Sequence, residues 1–135
     1  MTSFFKNDHE AAMALVGIAN MNGMDNRPDL LLLDAAGRGN TIYCTAAIFM
    51  GADNFQEMLE AAARHGHVEV CKMALAHGAK NVNRMLAAAT RGNSAAVARL
   101  SKDSGAKNFV EMREIALLKG FDGLFQLAKQ WINEA

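Results

Sequence analysis

Gly78-Ala79-Lys80-Asn81-Val82 reads as the close of one helix and the opening of the next, with glycine ending the first and asparagine starting the second. The phrase recurs on both sides, as Gly51-Ala52-Asp53-Asn54-Phe55 and Gly105-Ala106-Lys107-Asn108-Phe109, so the glycines at 51, 78 and 105 mark a step of 27 residues. Met58, Met85 and Met112 keep that step, as do Gly39, Gly66 and, two steps further on, Gly120. The register asks for a glycine at 93, where the chain has Asn93, the residue that best tolerates the left-handed backbone glycine usually fills. Self-similarity at a period of this length is the mark of a repeat array.

One step holds two short helices. In the unit from 54 to 80 the first is expected to open at Asn54, with Glu57 completing a capping box, and to run through Met58-Leu59-Glu60-Ala61-Ala62-Ala63-Arg64 to a stop near Gly66. Asn108 with Glu111 repeats the box, and Asn81 holds the equivalent capping position. The second helix runs from about His67 to His77, with Val70, Met73, Ala74 and His77 at helical spacing on one apolar face. Isolated helices shorter than about 12–15 residues are marginal in water, so order must come from neighbouring copies. The expected fold is therefore all-α, a stack of antiparallel helix pairs sharing one core.

Units begin near Pro28, Asn54, Asn81 and Asn108, which predicts a single domain over 1–135. It divides into an N-terminal cap (1–27), three repeats (28–107) and a C-terminal capping repeat (108–135). Asp8 to Asn20 reads as a lone helix or degenerate pair, and Asn22-Gly23 as a turn out of register. The final helix carries Gln126, Lys129, Gln130, Asn133 and Glu134, which should face solvent as a terminal unit requires. Alanine runs at 61–63 and 87–89 let first helices approach closely while bulkier second helices spread, so the stack should curve, concave toward the first helices.

Composition narrows the function. Fourteen Lys and Arg balance fourteen Asp and Glu, which removes the net field that draws proteins to nucleic acid or to anionic membranes. A chain that is 51% apolar and 21% charged is not a disordered segment. The longest apolar stretch, Ala11 to Ala19, is about half a bilayer span, and with Lys6 alone ahead of it makes a poor signal peptide. Two cysteines form no disulfide framework and fit a reducing compartment. An intracellular protein with neither nucleic-acid nor membrane partner is expected.

Ala62-Ala63-Arg64-His65-Gly66-His67-Val68-Glu69-Val70-Cys71-Lys72, followed by Gly78-Ala79-Lys80-Asn81, resembles the helix-turn-helix part of an ankyrin repeat. It is most similar to the shortened ankyrin-like arrays of large DNA viruses of amoebae, whose units are of similar length and favour a cysteine in the second helix. The likeness covers residues 30 to 135 and is strongest from 54 to 80. It implies an ankyrin-like solenoid acting as a non-enzymatic protein–protein interaction scaffold, in host cytoplasm or virion, or alternatively a structural or assembly component of a viral particle. A standard ankyrin repeat is about 33 residues long and opens with Thr-Pro-Leu-His, which is absent here, so the β-hairpins should be reduced or missing.

No nucleophile–base set, phosphate loop or dinucleotide fingerprint is present, so no catalytic residue and no cofactor is assigned. Cys44 and Cys71 occupy equal places in consecutive second helices. Packed helices lie about 8–10 Å apart, beyond the roughly 7 Å that a disulfide spans between Cα atoms, so both read as small core residues. His65, His67, Cys71 and His77 could be weighed as zinc ligands, but a structural site needs four at tight spacing and no second paired cluster exists, so no metal is expected. The methionines that keep the 27-residue step read as core.

Partner-binding residues are assigned to the first-helix face and adjoining loops: Arg38, Glu57, Glu60, Arg64, His65, Arg84, Arg91 and Lys119. Arg64 and Arg91 are register equivalents, and Arg38, His65 and Lys119 share the next position. All five stand where positive charge complements the C-terminal end of a helix dipole. The functional alternative is a basic stripe that meets an acidic protein partner. Glu57, Arg84 and Glu111, with Glu60, Ala87 and Glu114, differ from unit to unit, as positions that carry specificity on a constant scaffold do.

Overall fold

A computed structural model describes residues 11–14, 16 and 27–135. The expectations for Asp8 to Asn20 and for the Asn22-Gly23 turn therefore fall largely outside the described residues. Residues 11–14 are helical, and Ala11 and Ala12 are buried. From Pro28 onward the chain is a succession of short helices, with no strand among the described residues. They are α1 (Pro28–Arg38), α2 (Thr41–Phe49), α3 (Phe55–Arg64), α4 (Val68–Ala76), α5 (Val82–Arg91), α6 (Ala95–Asp103), α7 (Phe109–Lys119) and α8 (Asp122–Glu134).

The turns between them repeat at the atomic level. Backbone is left-handed at Gly39, Gly66, Asn93 and Gly120, and again at Gly51, Gly78 and Gly105. At each of these seven residues the N–H donates to the carbonyl three residues back, and the next N–H donates to the carbonyl five before it, as in Ala79 N to Ala74 O at 3.0 Å. This double closure satisfies carbonyls that a helix end otherwise leaves open. Asn93 adopts φ 57°, the conformation its place in the register requires.

Packing follows the same step. Each odd-numbered helix packs on the even-numbered helix that follows it, giving four neighbouring pairs. The first helices α1, α3, α5 and α7 also lie each against the next, whereas α2, α4 and α6 touch only sparsely. Ala35, Ala62, Ala89 and Ala116 are register equivalents and all buried, and a methyl group there is what allows close approach. Leu32, Leu59 and Leu86, also register equivalents, are fully buried in the shared core, as are Met58, Met85 and Met112. The methionines are core, as their periodicity predicts. Thr90 and Ser101 are buried hydroxyls that donate back to the carbonyls of Leu86 (2.7 Å) and Val97 (2.8 Å).

The capping boxes expected at Asn54/Glu57 and Asn108/Glu111 do not form. Asn54 Nδ2 donates instead to the carbonyl of Asp29 (3.0 Å), and Asn108 Nδ2 to the carbonyl of Asn83 (2.8 Å) and to Glu111 Oε1 (2.7 Å). Asn81 does cap its helix, accepting from Arg84 N at 3.0 Å. The difference follows the partner 25 residues earlier. Asp29, Gln56 and Asn83 are register equivalents whose side chains accept backbone N–H groups of the loop that leads into the next first helix, at Asp53, at Lys80 and Asn81, and at Lys107. Gln56 is longer and also donates to the Asn81 carbonyl (3.3 Å), which leaves the Asn81 side chain to its own helix. Where the partner is Asp29 or Asn83, the asparagine side chain makes the second bond of the joint itself.

In the last unit Gln126, Lys129, Gln130, Asn133 and Glu134 are exposed, as expected of a terminal helix. Trp131 is buried edge-on against Phe109, with ring centroids 5.5 Å apart, and so ties α8 to the start of α7.

Candidate functional site

The outward faces of the first helices lie side by side and enclose two adjoining hollows. One, of about 290 Å3, has Leu33, Ala61 and Ala88 at its base and Glu57, Arg64 and Arg91 around it. The other, of about 410 Å3, is bounded by Asn81, Asn83, Arg84, Ala87 and Glu111. Glu60 and Arg91 border both, so the two are continuous. The small side chains at 61, 87 and 88 open this groove, and larger residues there would fill it.

Within the groove one charge pair is closed, while Arg64, Arg91, Glu57 and Glu111 make no ion pair among the described residues. Glu60 Oε1 lies 3.0 Å from Arg84 Nη2, and Glu60 Oε2 accepts from Gln56 Nε2 at 3.0 Å. That joint spans α3 and α5. Arg64 and Arg91 end those same two helices, and neither makes an ion pair among the described residues. Two guanidinium groups one repeat apart thus border an apolar base with their donors open to solvent.

Five of the expected partner-binding residues, Glu57, Glu60, Arg64, Arg84 and Arg91, come together at this groove. Arg38, His65 and Lys119 do not line it. Arg38 pairs with Asp34 at 3.1 Å along the exposed side of α1, His65 stands exposed in the turn after α3, and Lys119 is the exposed last residue of α7. Sequence reasoning missed Leu33, Ala88 and Asn83. The 27-residue register could have found Leu33, which occupies the position of Glu60 one unit earlier.

Of the residues weighed as metal ligands, His65 and His67 lie ring to ring with centroids 6.4 Å apart, and Cys71 and His77 are engaged elsewhere. His67 Nε2 lies 3.0 Å from the Gly37 carbonyl, and its ring occupies the space beside Gly39, where a Cβ would stand 2.5 Å from Nδ1. Ser94 takes the equivalent place against Gly66. His77 stacks on Phe55, with centroids 5.0 Å apart. Cys71 is buried with Sγ 3.9 Å from the Leu59 carbonyl, and Cys44 is buried one unit before it. Burial pushes the Cys44 thiol up to about 11 and the Cys71 thiol up to about 12, so both stay protonated at neutral pH. Among the described residues no three His, Cys, Asp or Glu side chains are grouped as metal ligands would be, and no helix is long and apolar enough to cross a membrane.

No family model, curated protein or solved structure matches this chain.

Proposed function

We propose that this chain is a non-enzymatic protein-interaction scaffold, an ankyrin-like solenoid that takes an acidic segment of a partner protein along its first-helix groove. The observation that carries this reading is the pair Arg64 and Arg91, unpaired at the edge of an apolar-based groove whose other arginine, Arg84, is held by Glu60. Close packing of the first helices and sparse contact between the second ones is the arrangement of a row concave on its first-helix side. A concave surface built on helices loses little conformational entropy when occupied, which favours affinity from a small contact. Guanidinium groups bind carboxylates in a bidentate fork, so two of them at a fixed separation select acidic groups of matching spacing. Glu57 and Glu111 on the same face disfavour acidic residues placed elsewhere, and the row thereby reads a pattern of charge in addition to its sign.

The test is affinity capture with the 135-residue chain and with the double variant R64E/R91E. A partner retained by the first and lost by the second, with thermal unfolding unchanged, supports the reading. A partner retained equally by both removes the groove from the interaction.

A further inference from the structure

The last first helix, α7, presents a face that no part of the described chain covers. Gln56 and Glu60 of α3 reach Lys80, Asn81 and Arg84 at the next first helix, with Leu59 and Ala63 at helical spacing on the same stripe. The register equivalents in α5 are Asn83, Leu86, Ala87 and Thr90, of which Asn83 reaches Lys107. Leu59, Leu86, Ala63 and Thr90 are buried there without residual exposure. The register equivalents in α7 are Val110, Arg113, Glu114 and Leu117, spaced i, i+3, i+4, i+7 as one helical stripe requires. Here Val110 is 50% and Leu117 63% exposed, with Leu118 beside them at 87%. Arg113 and Glu114 make no ion pair among the described residues. Apolar side chains at both ends of the stripe are unlike the polar outer face of α8, where Gln126, Lys129, Gln130 and Asn133 meet solvent.

We propose that this face is a two-fold interface with a second copy of the same chain. The stripe is self-complementary when two α7 helices pack antiparallel about an axis passing between Arg113 and Glu114. Val110 of one copy then meets Leu117 of the other, Arg113 meets Glu114, and the two remaining contacts follow by symmetry. An isologous contact requires that kind of palindromic match, in which the patch complements itself under rotation. Arg113 breaks the leucine series of Leu32, Leu59 and Leu86, and with Glu114 beside it fixes the register and direction of the contact. One helix of this length spans roughly 16 Å, so the interface is small and the dimer reversible.

Sedimentation equilibrium of the 135-residue chain between roughly 10 μM and 1 mM, the range suited to small interfaces, tests this. The expected result is a monomer–dimer equilibrium that R113E and E114R each weaken at least tenfold, because each places like charges opposite one another twice. An equimolar mixture of those two variants should recover a dimer of near wild-type strength containing one of each. L117D should dissociate the dimer, and far-UV circular dichroism verifies that every variant keeps its helix content. If L117D fails to fold, the charge-exchange arm decides alone. A wild-type chain monomeric up to 1 mM overturns the proposal and leaves the face to a different protein. A dimer indifferent to R113E and E114R, or a mixture no stronger than its components, also overturns it.

Discussion

Gly92 and Asn93 sit side by side and are constrained by different physics. Gly92 has an ordinary helical-side backbone, but a Cβ there would lie 1.7 Å from the Arg64 carbonyl oxygen, so the end of α5 rests directly on the end of α3. Asn93 is restricted by its φ of 57°. G92A should cost about 1–3 kcal/mol in urea unfolding, the usual range for an overpacked contact, because backbone must move to relieve it. N93G should be neutral or stabilising by a few tenths of a kcal/mol, since glycine suits the same conformation without strain. The buried thiols make a prediction of opposite character. Both are neutral in the folded chain and ionise above about 9 when unfolded, so folding holds their protons over the interval between. Stability is unaffected by them below pH 9 and falls as pH rises from there toward 11 to 12. At pH 8 a thiol reagent should modify Cys44 and Cys71 only as fast as the chain opens, and prompt modification of the native protein would contradict their burial.

Helices in this protein are joined by polar side chains as well as by the apolar core. Gln56 contributes three bonds to the loop at Lys80 and Asn81, all at an exposed position. Q56A should therefore lower stability by about 1 kcal/mol, with Q56N recovering part of it by the arrangement seen at Asn83. A Q56A protein as stable as the parent would show that water replaces these bonds at no cost. This joint is also where reading the sequence reached its limit. The 27-residue step located both turns of each unit and the helices between them, because a left-handed residue and an alanine at fixed places are local requirements. α3 spans Phe55–Arg64 and α4 spans Val68–Ala76, within a residue or two of expectation. Whether an asparagine caps its own helix or bridges to another depends on a side chain 25 residues away, and local spacing carries no information about that. The groove shows the same division. Glu57, Glu60, Arg64, Arg84 and Arg91 were legible as first-helix surface, but the Glu60–Arg84 bond that leaves Arg64 and Arg91 unpaired was not. Arg38, His65 and Lys119 follow the Arg64 position by a single residue, and a rotation of about 100° around the helix is enough to take them off the groove.

Because the main contacts among the described residues lie within a pair or between neighbouring pairs, the energy of the chain should be close to a sum of unit terms and joint terms. This makes the consequence of a deletion depend on register more than on size. Removing residues 55–81 takes out α3 and α4 and brings Asn54 to Val82, so α1 meets α5 in place of α3. The surfaces that then meet are of matching kind, since Met58, Leu59 and Ala62 are replaced by Met85, Leu86 and Ala89. Such a chain should keep its helix content per residue, unfold cooperatively, and melt lower by on the order of 10 °C for the loss of one joint. Removing only residues 68–80 discards α4 and its loop, about half as much chain, yet leaves α3 without a return helix. Every later helix would then run in the wrong direction relative to those before it, and its apolar face would meet no complementary surface. The smaller deletion should therefore be the more damaging one, with loss of the cooperative transition in a thermal melt followed by circular dichroism. In a globule held by long-range contacts the order would be reversed, so a 55–81 deletion that unfolds while a 68–80 deletion survives would refute the nearest-neighbour account of this fold.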